Sequence, residues 1–346
     1  MLRSVHSFTR QSHTSKSLLT FVKSLAGASR RESRTMNSSV AHHKVSPVGE
    51  VRSTSALGGC ETYFISSSQG KNLFARCWKP PAHVELRGLV FLCHGYSEHL
   101  GWYDPIGTAL ADKGLVAFGH DHVGHGRSDG LRCFVNDATE YVDDVMIHIA
   151  KLKEQHPHLP LYIIGHSMGG MVTISAVLAD AEVSGVVLMG PLILPDPKEA
   201  TPVKMTAARM VAWICPNFPV GRLRKELVTR DKEMLSSLIK DELGYQGAFR
   251  AQWACAVVDL LMRNKAALGK FSVPFLILHG EHDGICSLAG SQIMIDEAPV
   301  KDKKLKVFPD ALHHLYLEKP DTRQEAIADT VDWIVQRLPP SPSHKQ

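Results

Sequence analysis

Five consecutive residues carry the clearest chemical potential in the chain. Gly165-His166-Ser167-Met168-Gly169 fits the pattern G-x-S-x-G and lies between an apolar run, residues 161–164, and an apolar helical pattern, Met168–Leu178. A serine in that frame sits on a strained strand-to-helix turn, and glycines beside it let neighbouring backbone approach without a Cβ clash. The helix N-terminus directs the Met168 N–H toward charge developing on a nearby oxygen. Such residues suit nucleophilic attack on a carbonyl. Serine alone is a poor nucleophile and needs a base oriented by a carboxylate, which in this frame follow in the chain order Ser, Asp/Glu, His.

Two later segments supply both groups. The apolar run 275–278 leads into His279-Gly280-Glu281-His282-Asp283, and the run 305–308 leads into Pro309-Asp310-Ala311-Leu312-His313-His314. Both follow strands, and so reach the sheet edge where Ser167 must lie. Asp283 is assigned as the orienting carboxylate with Glu281 as its rival, and His313 as the base with His314 as its rival. A second oxyanion donor should come from a loop after an earlier strand. The run 89–93 ends in His94-Gly95-Tyr96, which makes the Tyr96 backbone N–H the candidate and His94 a brace for that loop. The three histidines between His120 and His125 lack zinc-site spacing, and the Gly-x-Gly beside them is too short for a dinucleotide fingerprint. They read as a glycine-rich turn of hydrogen-bonded polar residues. Cys286 reads as a buried free thiol, with a modifiable thiol lining the site as the alternative. Water and an ester suffice for this chemistry, so no metal or cofactor is expected.

These groups must be held by a scaffold. Residues 63–65 and 73–78 read as a hairpin, and short apolar runs of buried-strand type recur at 89–93, 115–119, 161–164, 186–189, 275–278 and 305–308. Helix-period segments at 139–154 and Met168–Leu178 lie between them. Strands alternating with helices predict an α/β fold with a mostly parallel sheet covered on both faces. From about 191 to 270 no strand is legible. Val203, Ala207, Met210, Val211 and Ile214 share one helical face there, with Lys204 and Arg209 off it, and Trp253, Val257, Leu260 and Leu261 share another. This insertion reads as a helical cap over the carboxyl edge.

Composition bounds the rest. At 346 residues, 44% apolar and 21% charged, the chain can bury a large core, which argues against disorder. No run approaches about 18 uninterrupted apolar residues, so no transmembrane helix is expected. The net charge of +4 sits in residues 1–35, which hold seven basic residues and the acid Glu32; the remainder has 32 basic against 34 acidic residues and gives no electrostatic case for nucleic acid. That Ser/Thr/Arg-rich leader has the composition of a mitochondrial transit peptide, or of a disordered tail upstream of Met36. Residues 36–59 read as a flexible linker, 60–340 as one domain and 341–346 as a tail. Seven cysteines, an odd number, argue against a disulfide framework and fit a cytoplasmic setting.

The sequence resembles the monoglyceride (monoacylglycerol) lipases of the α/β-hydrolase superfamily from about Glu61 to Gln336. The matching pieces are Phe74 to Pro80, His94-Gly95 with Glu98, His99, Gly101 and Tyr103, His120 to Gly126, Gly165 to Gly170, Val273 to Leu278, and Asp283 with Cys286. The resemblance implies Ser167, Asp283 and His313 as a triad and Met168 and Tyr96 as the oxyanion hole. It also implies an apolar cap that admits a fatty acyl chain and touches a bilayer peripherally, and a small lipid, monoacylglycerol, as substrate. Three positions depart from the family pattern: Tyr96 where a small alanine is usual, Trp102 in place of an arginine, and Tyr316 where histidine is often found. Lysophospholipase, general carboxylesterase and serine peptidase are the alternatives within the class. An aspartate nucleophile would have pointed to epoxide hydrolysis. A non-catalytic binding scaffold would be expected to lack a triad member, and none is missing.

Overall fold

The computed structural model describes residues 54–57, 60–194 and 202–340; the expected leader, most of the expected linker and the tail at 341–346 lie outside the described residues. Nine strands form one sheet. In chain order these are β1 (Thr54–Leu57), β2 (Cys60–Ser66), β3 (Asn72–Trp78), β4 (Gly88–Cys93), β5 (Leu115–His120), β6 (Leu161–His166) and β7 (Gly185–Met189). A two-stranded ribbon, β8 (Pro219–Gly221) and β9 (Phe249–Arg250), stands apart, and β10 (Phe275–Gly280) and β11 (Lys303–Phe308) complete the sheet. The spatial order is β1-β2-β3-β5-β4-β6-β7-β10-β11. Strands β5 to β11 along this order pair in parallel, and β1, β2 and β3 add antiparallel pairs at one edge.

The central strands are covered on both faces, which is why they read as continuous apolar runs rather than alternating ones. Phe91, Ile163, Leu188 and Ile277 point into one core with α2 (Thr139–Gln155) and α3 (Met168–Leu178). Val90, Leu92, Ile164 and Leu278 point into the other, against α1 (Asp104–Ala111) and the C-terminal helix Pro320–Val335.

Two expectations need correction. The stretch 36–59 is not linker throughout, because Thr54–Leu57 pairs antiparallel with β2, Thr54 opposite Thr62 and Leu57 opposite Cys60. Thr-Ser-Ala-Leu is too short and polar to show a strand pattern; its pairing comes from the open edge beside it. The cap is also shorter than 191–270. It comprises α4 (Pro202–Ile214), the β8–β9 ribbon and α5 (Lys232–Lys240). The following helix α6 (Ala251–Ala267) belongs to the body: Trp253, Val257, Leu260 and Leu261 are buried in the core that holds α3. Their stripe reported burial correctly, but a stripe does not name its partner. The ribbon escaped notice because two strands of two and three residues give no periodicity. The last two helices are α7 (Leu288–Glu297) and α8 (Pro320–Val335).

Candidate active site

Ser167 joins β6 to α3 with φ +53° and ψ −117°, a backbone conformation that few non-glycine residues adopt. The surroundings hold it there. Its N–H donates to the Met189 carbonyl at 3.0 Å, and the Gly170 N–H donates to its own carbonyl at 2.9 Å. The glycines beside it are required by close packing. A Cβ on Gly165 would lie 2.4 Å from Thr173 Oγ1, and one on Gly169 would lie 2.0 Å from the Cys93 carbonyl oxygen. The Ser167 hydroxyl lies 3.9 Å from Cys286 Sγ, a free and buried thiol that also lines the cavity beside the serine.

Asp283 follows β10 and His313 follows β11. The His313 Nδ1–H donates to Asp283 Oδ2 at 2.7 Å, which leaves Nε2 as the acceptor of a neutral ring. The carboxylate is over-determined: its Oδ1 accepts the N–H groups of Ile285 (2.8 Å) and Cys286 (2.9 Å), and His279 Nε2 stands 3.3 Å from Oδ2. Burial pushes the Asp283 carboxyl up, but the charge of His313 and hydrogen bonds from His279 and His313 outweigh it and hold the group well below the usual carboxylate range. The two rivals stand elsewhere. Glu281 is exposed and accepts the Asp310 N–H at 3.1 Å. His314 is buried with Nε2 3.2 Å from Glu98 Oε2, and its N–H donates to the Val228 carbonyl at 2.9 Å.

Ser167, His313 and Tyr96 line one small pocket. Among the described residues the backbone N–H groups of Tyr96 and Met168 donate to no protein acceptor, so both are free to receive an oxygen. The departure at Tyr96 has a structural reason. Its ring packs on Trp253 with centroids 4.2 Å apart and on Phe249 at 5.0 Å. At the second departure, the Trp102 indole N–H donates to Asp241 at 3.0 Å, beside His99 Nε2 at 2.9 Å, and so ties the loop to the end of α5. At the third, the Tyr316 hydroxyl is bonded to Thr330 Oγ1 at 2.7 Å.

The other histidines are engaged in structure. His94 accepts the His122 N–H at 2.8 Å and so braces its loop as expected. His120 meets His148 at 3.1 Å, and His125 meets Cys133 Sγ at 3.3 Å. Burial pushes His125 down to about 4 and His148 to about 3, so these rings are neutral. Sequence reading missed the centre beneath the serine. Glu98 accepts the Gly95 N–H, the Tyr103 hydroxyl (2.8 Å) and His166 Nδ1–H (2.8 Å) in addition to its contact with His314. An acid three residues after a His-Gly turn, in a stretch otherwise destined for burial, was the available signal.

Above Ser167 and Met168 opens a cavity of about 770 Å³, walled by apolar side chains such as Met205, Ala208, Val220, Leu223 and Leu261. That volume is within the range of small-molecule sites. Helix α4 roofs it, packing on α6 through Ala208, Val211 and Ala212 against Ala251 and Cys255. The expected apolar face is thus divided: Val211 turns inward, while Val203, Ala207, Met210 and Ile214 stay exposed, joined by Trp213 at 86%.

Comparison with known proteins agrees with this arrangement. The family model described as serine aminopeptidase, S33, matches residues 84–320. The chain is 33% identical over 274 residues to the monoglyceride lipase of Homo sapiens, covering 79% of this chain and 90% of that one. It is 32% identical over 284 residues to the monoacylglycerol lipase of Mycolicibacterium smegmatis, covering 79% and 100%. Among solved structures, the monoacylglycerol lipase of Paleococcus ferrophilus superposes with a TM-score of 0.67 at 25% identity, over 77% of this chain and 99% of that one. Sequence, sheet order and the turn at Ser167 together place the chain as a hydrolase of the α/β-hydrolase superfamily, in the serine aminopeptidase S33 family alongside the monoglyceride lipases.

Proposed function

We propose that the chain hydrolyses the acyl ester of monoacylglycerols to fatty acid and glycerol, with Ser167 as nucleophile, His313 as base and Asp283 as its orienting carboxylate. One observation carries the reading: a serine on a strained turn lines an apolar cavity and also a small pocket that it shares with His313, the ring bonded to Asp283. His313 takes the serine proton as Oγ attacks the ester carbonyl. The N–H groups of Tyr96 and Met168 then receive the oxyanion. His313 returns the proton to the departing glycerol oxygen, and a water activated by the same ring cleaves the acyl-enzyme. The relatives named for monoglycerides support the substrate, and the apolar cavity suits its acyl chain.

The cap supports a peripheral membrane contact. Val203, Met210, Trp213 and Ile214 form an exposed apolar set beside the cavity, suited to dip into the acyl boundary of a bilayer. No described helix is long and apolar enough to cross a membrane. The test is a panel of purified protein on long-chain monoacylglycerols, lysophosphatidylcholine and p-nitrophenyl acetate. Each buried CH₂ contributes about 0.8 kcal/mol, so kcat/KM should rise with chain length until the cavity is filled. A wild type that favours the acetyl ester would leave a carboxylesterase; one that favours the lysophospholipid would move the head group.

A further inference from the structure

Glu98 takes no part in the steps above, yet it touches the segments that carry the Tyr96 donor, the nucleophile and the base. Its carboxylate accepts the Gly95 N–H at the base of the Tyr96 loop and His166 Nδ1–H (2.8 Å), one residue before the nucleophile. It lies 3.2 Å from Nε2 of His314, one residue after the base, and it accepts the Tyr103 hydroxyl at 2.8 Å. The group is buried. The His166 ring bridges onward, with its centroid 3.9 Å from that of His314 and 4.8 Å from that of His313. Three loops from three strand ends therefore converge on one anion. The position where the family often has histidine is Tyr316, and in this chain an imidazole reaches the carboxylate from 314 instead.

We propose that Glu98 is a positioning residue of the hydrolytic site: it holds the Tyr96 loop, the Ser167 turn and the His313 segment in register, and its negative charge offsets the positive charge that His313 acquires on taking the serine proton. The proposal rests on the reading of Ser167 as nucleophile. Geometry favours the anion: the Glu98 carboxylate accepts from the Gly95 N–H, the Tyr103 hydroxyl and the His166 ring. Burial pushes it up, but His166 and His314 outweigh burial and hold it well below the usual range. The groups facing this network are His166, His314 and Tyr103 around the carboxylate, Cys93, His94, His122 and His125 from the β4 end and the histidine turn, Lys225 across the small pocket, and Asp283 with His279 on the far side of His313. A charge held in a water-poor interior acts over such distances far more strongly than in solvent.

The test compares wild type with Glu98→Gln and Glu98→Asp on p-nitrophenyl butyrate from pH 5 to 9, with thermal melts alongside. Hydrolysis by the wild type but not by Ser167→Ala is established first, so that a failure of the nucleophile reading is seen separately. Glu98→Gln keeps an acceptor for the Gly95 N–H but loses the charge. Its kcat should fall about 10- to 100-fold with KM changed less than about threefold. Its acid limb should move to lower pH, because an imidazole without a neighbouring anion resists protonation. Glu98→Asp keeps the charge and should keep the wild-type limb. If Glu98→Gln does not fold, His314→Gln carries the test through a kcat loss of about 5- to 10-fold at unchanged KM. A folded Glu98→Gln with wild-type kcat and an unmoved limb, or a fully active His314→Gln, would overturn the proposal.

Discussion

At the scale of residues, adjacent histidines differ in what they face. His313 donates to Asp283, whereas His314 Nε2 stands 3.2 Å from Glu98 Oε2, so His313→Ala should lower kcat by about 10³-fold or more and His314→Ala by only about tenfold. Steady-state kinetics on one soluble ester decides this, and the reverse order would exchange their roles. That Ser167, Asp283 and His313 lie just after three strand ends was legible, because chain order and apolar runs restrict those ends to a few positions. Glu98 was legible only as an acid three residues after a His-Gly turn, because four partners gathered from three loops leave no periodic signal. Tyr96 was legible only as a backbone donor. Its ring's place against Trp253 and Phe249 depends on a cap whose packing the sequence does not encode locally.

At the scale of elements, the histidine cluster around β5 and α2 makes the fold acid-sensitive. His148 is buried with its ring pushed down to about 3, and His120, His122 and His94 are pushed down too, first by burial. The folded state refuses protons that the unfolded chain accepts below about pH 6.5, so stability is lost as pH falls through that range. By pH 5 one such ring costs about 2 kcal/mol. The melting temperature should therefore drop between pH 7 and 5, before Asp283, whose depressed carboxyl erodes stability only below the ordinary carboxylate range. A melting temperature flat over pH 7 to 5 would mean that water reaches these rings. The parallel strands were readable because burial on both faces leaves unbroken apolar runs; Thr54–Leu57 and the β8–β9 ribbon were not, because their pairing is set by the neighbour rather than by their own residues.

At the scale of the whole molecule, the cap links an apolar surface to an apolar cavity. Trp213 and Ile214 are exposed, at 86% and 58%, so Trp213→Asp with Ile214→Asp should leave the melting temperature within about 2 °C of wild type. Vesicle co-sedimentation and turnover of vesicle-borne long-chain substrate should fall, while p-nitrophenyl acetate hydrolysis should stay. Equal loss on both substrates would show that the cap itself had been damaged. All seven cysteines are free thiols, and six of them are buried. The identity of the nucleophile is tested most directly by labelling the intact protein with a fluorophosphonate probe and mapping the modified peptide, in parallel with Ser167→Ala assayed on a long-chain monoacylglycerol. Label confined to Ser167, with hydrolysis by the variant reduced about 10⁴-fold or more, is the expected result. Label on another serine, or a Ser167→Ala protein that still releases fatty acid at the wild-type rate, would contradict it.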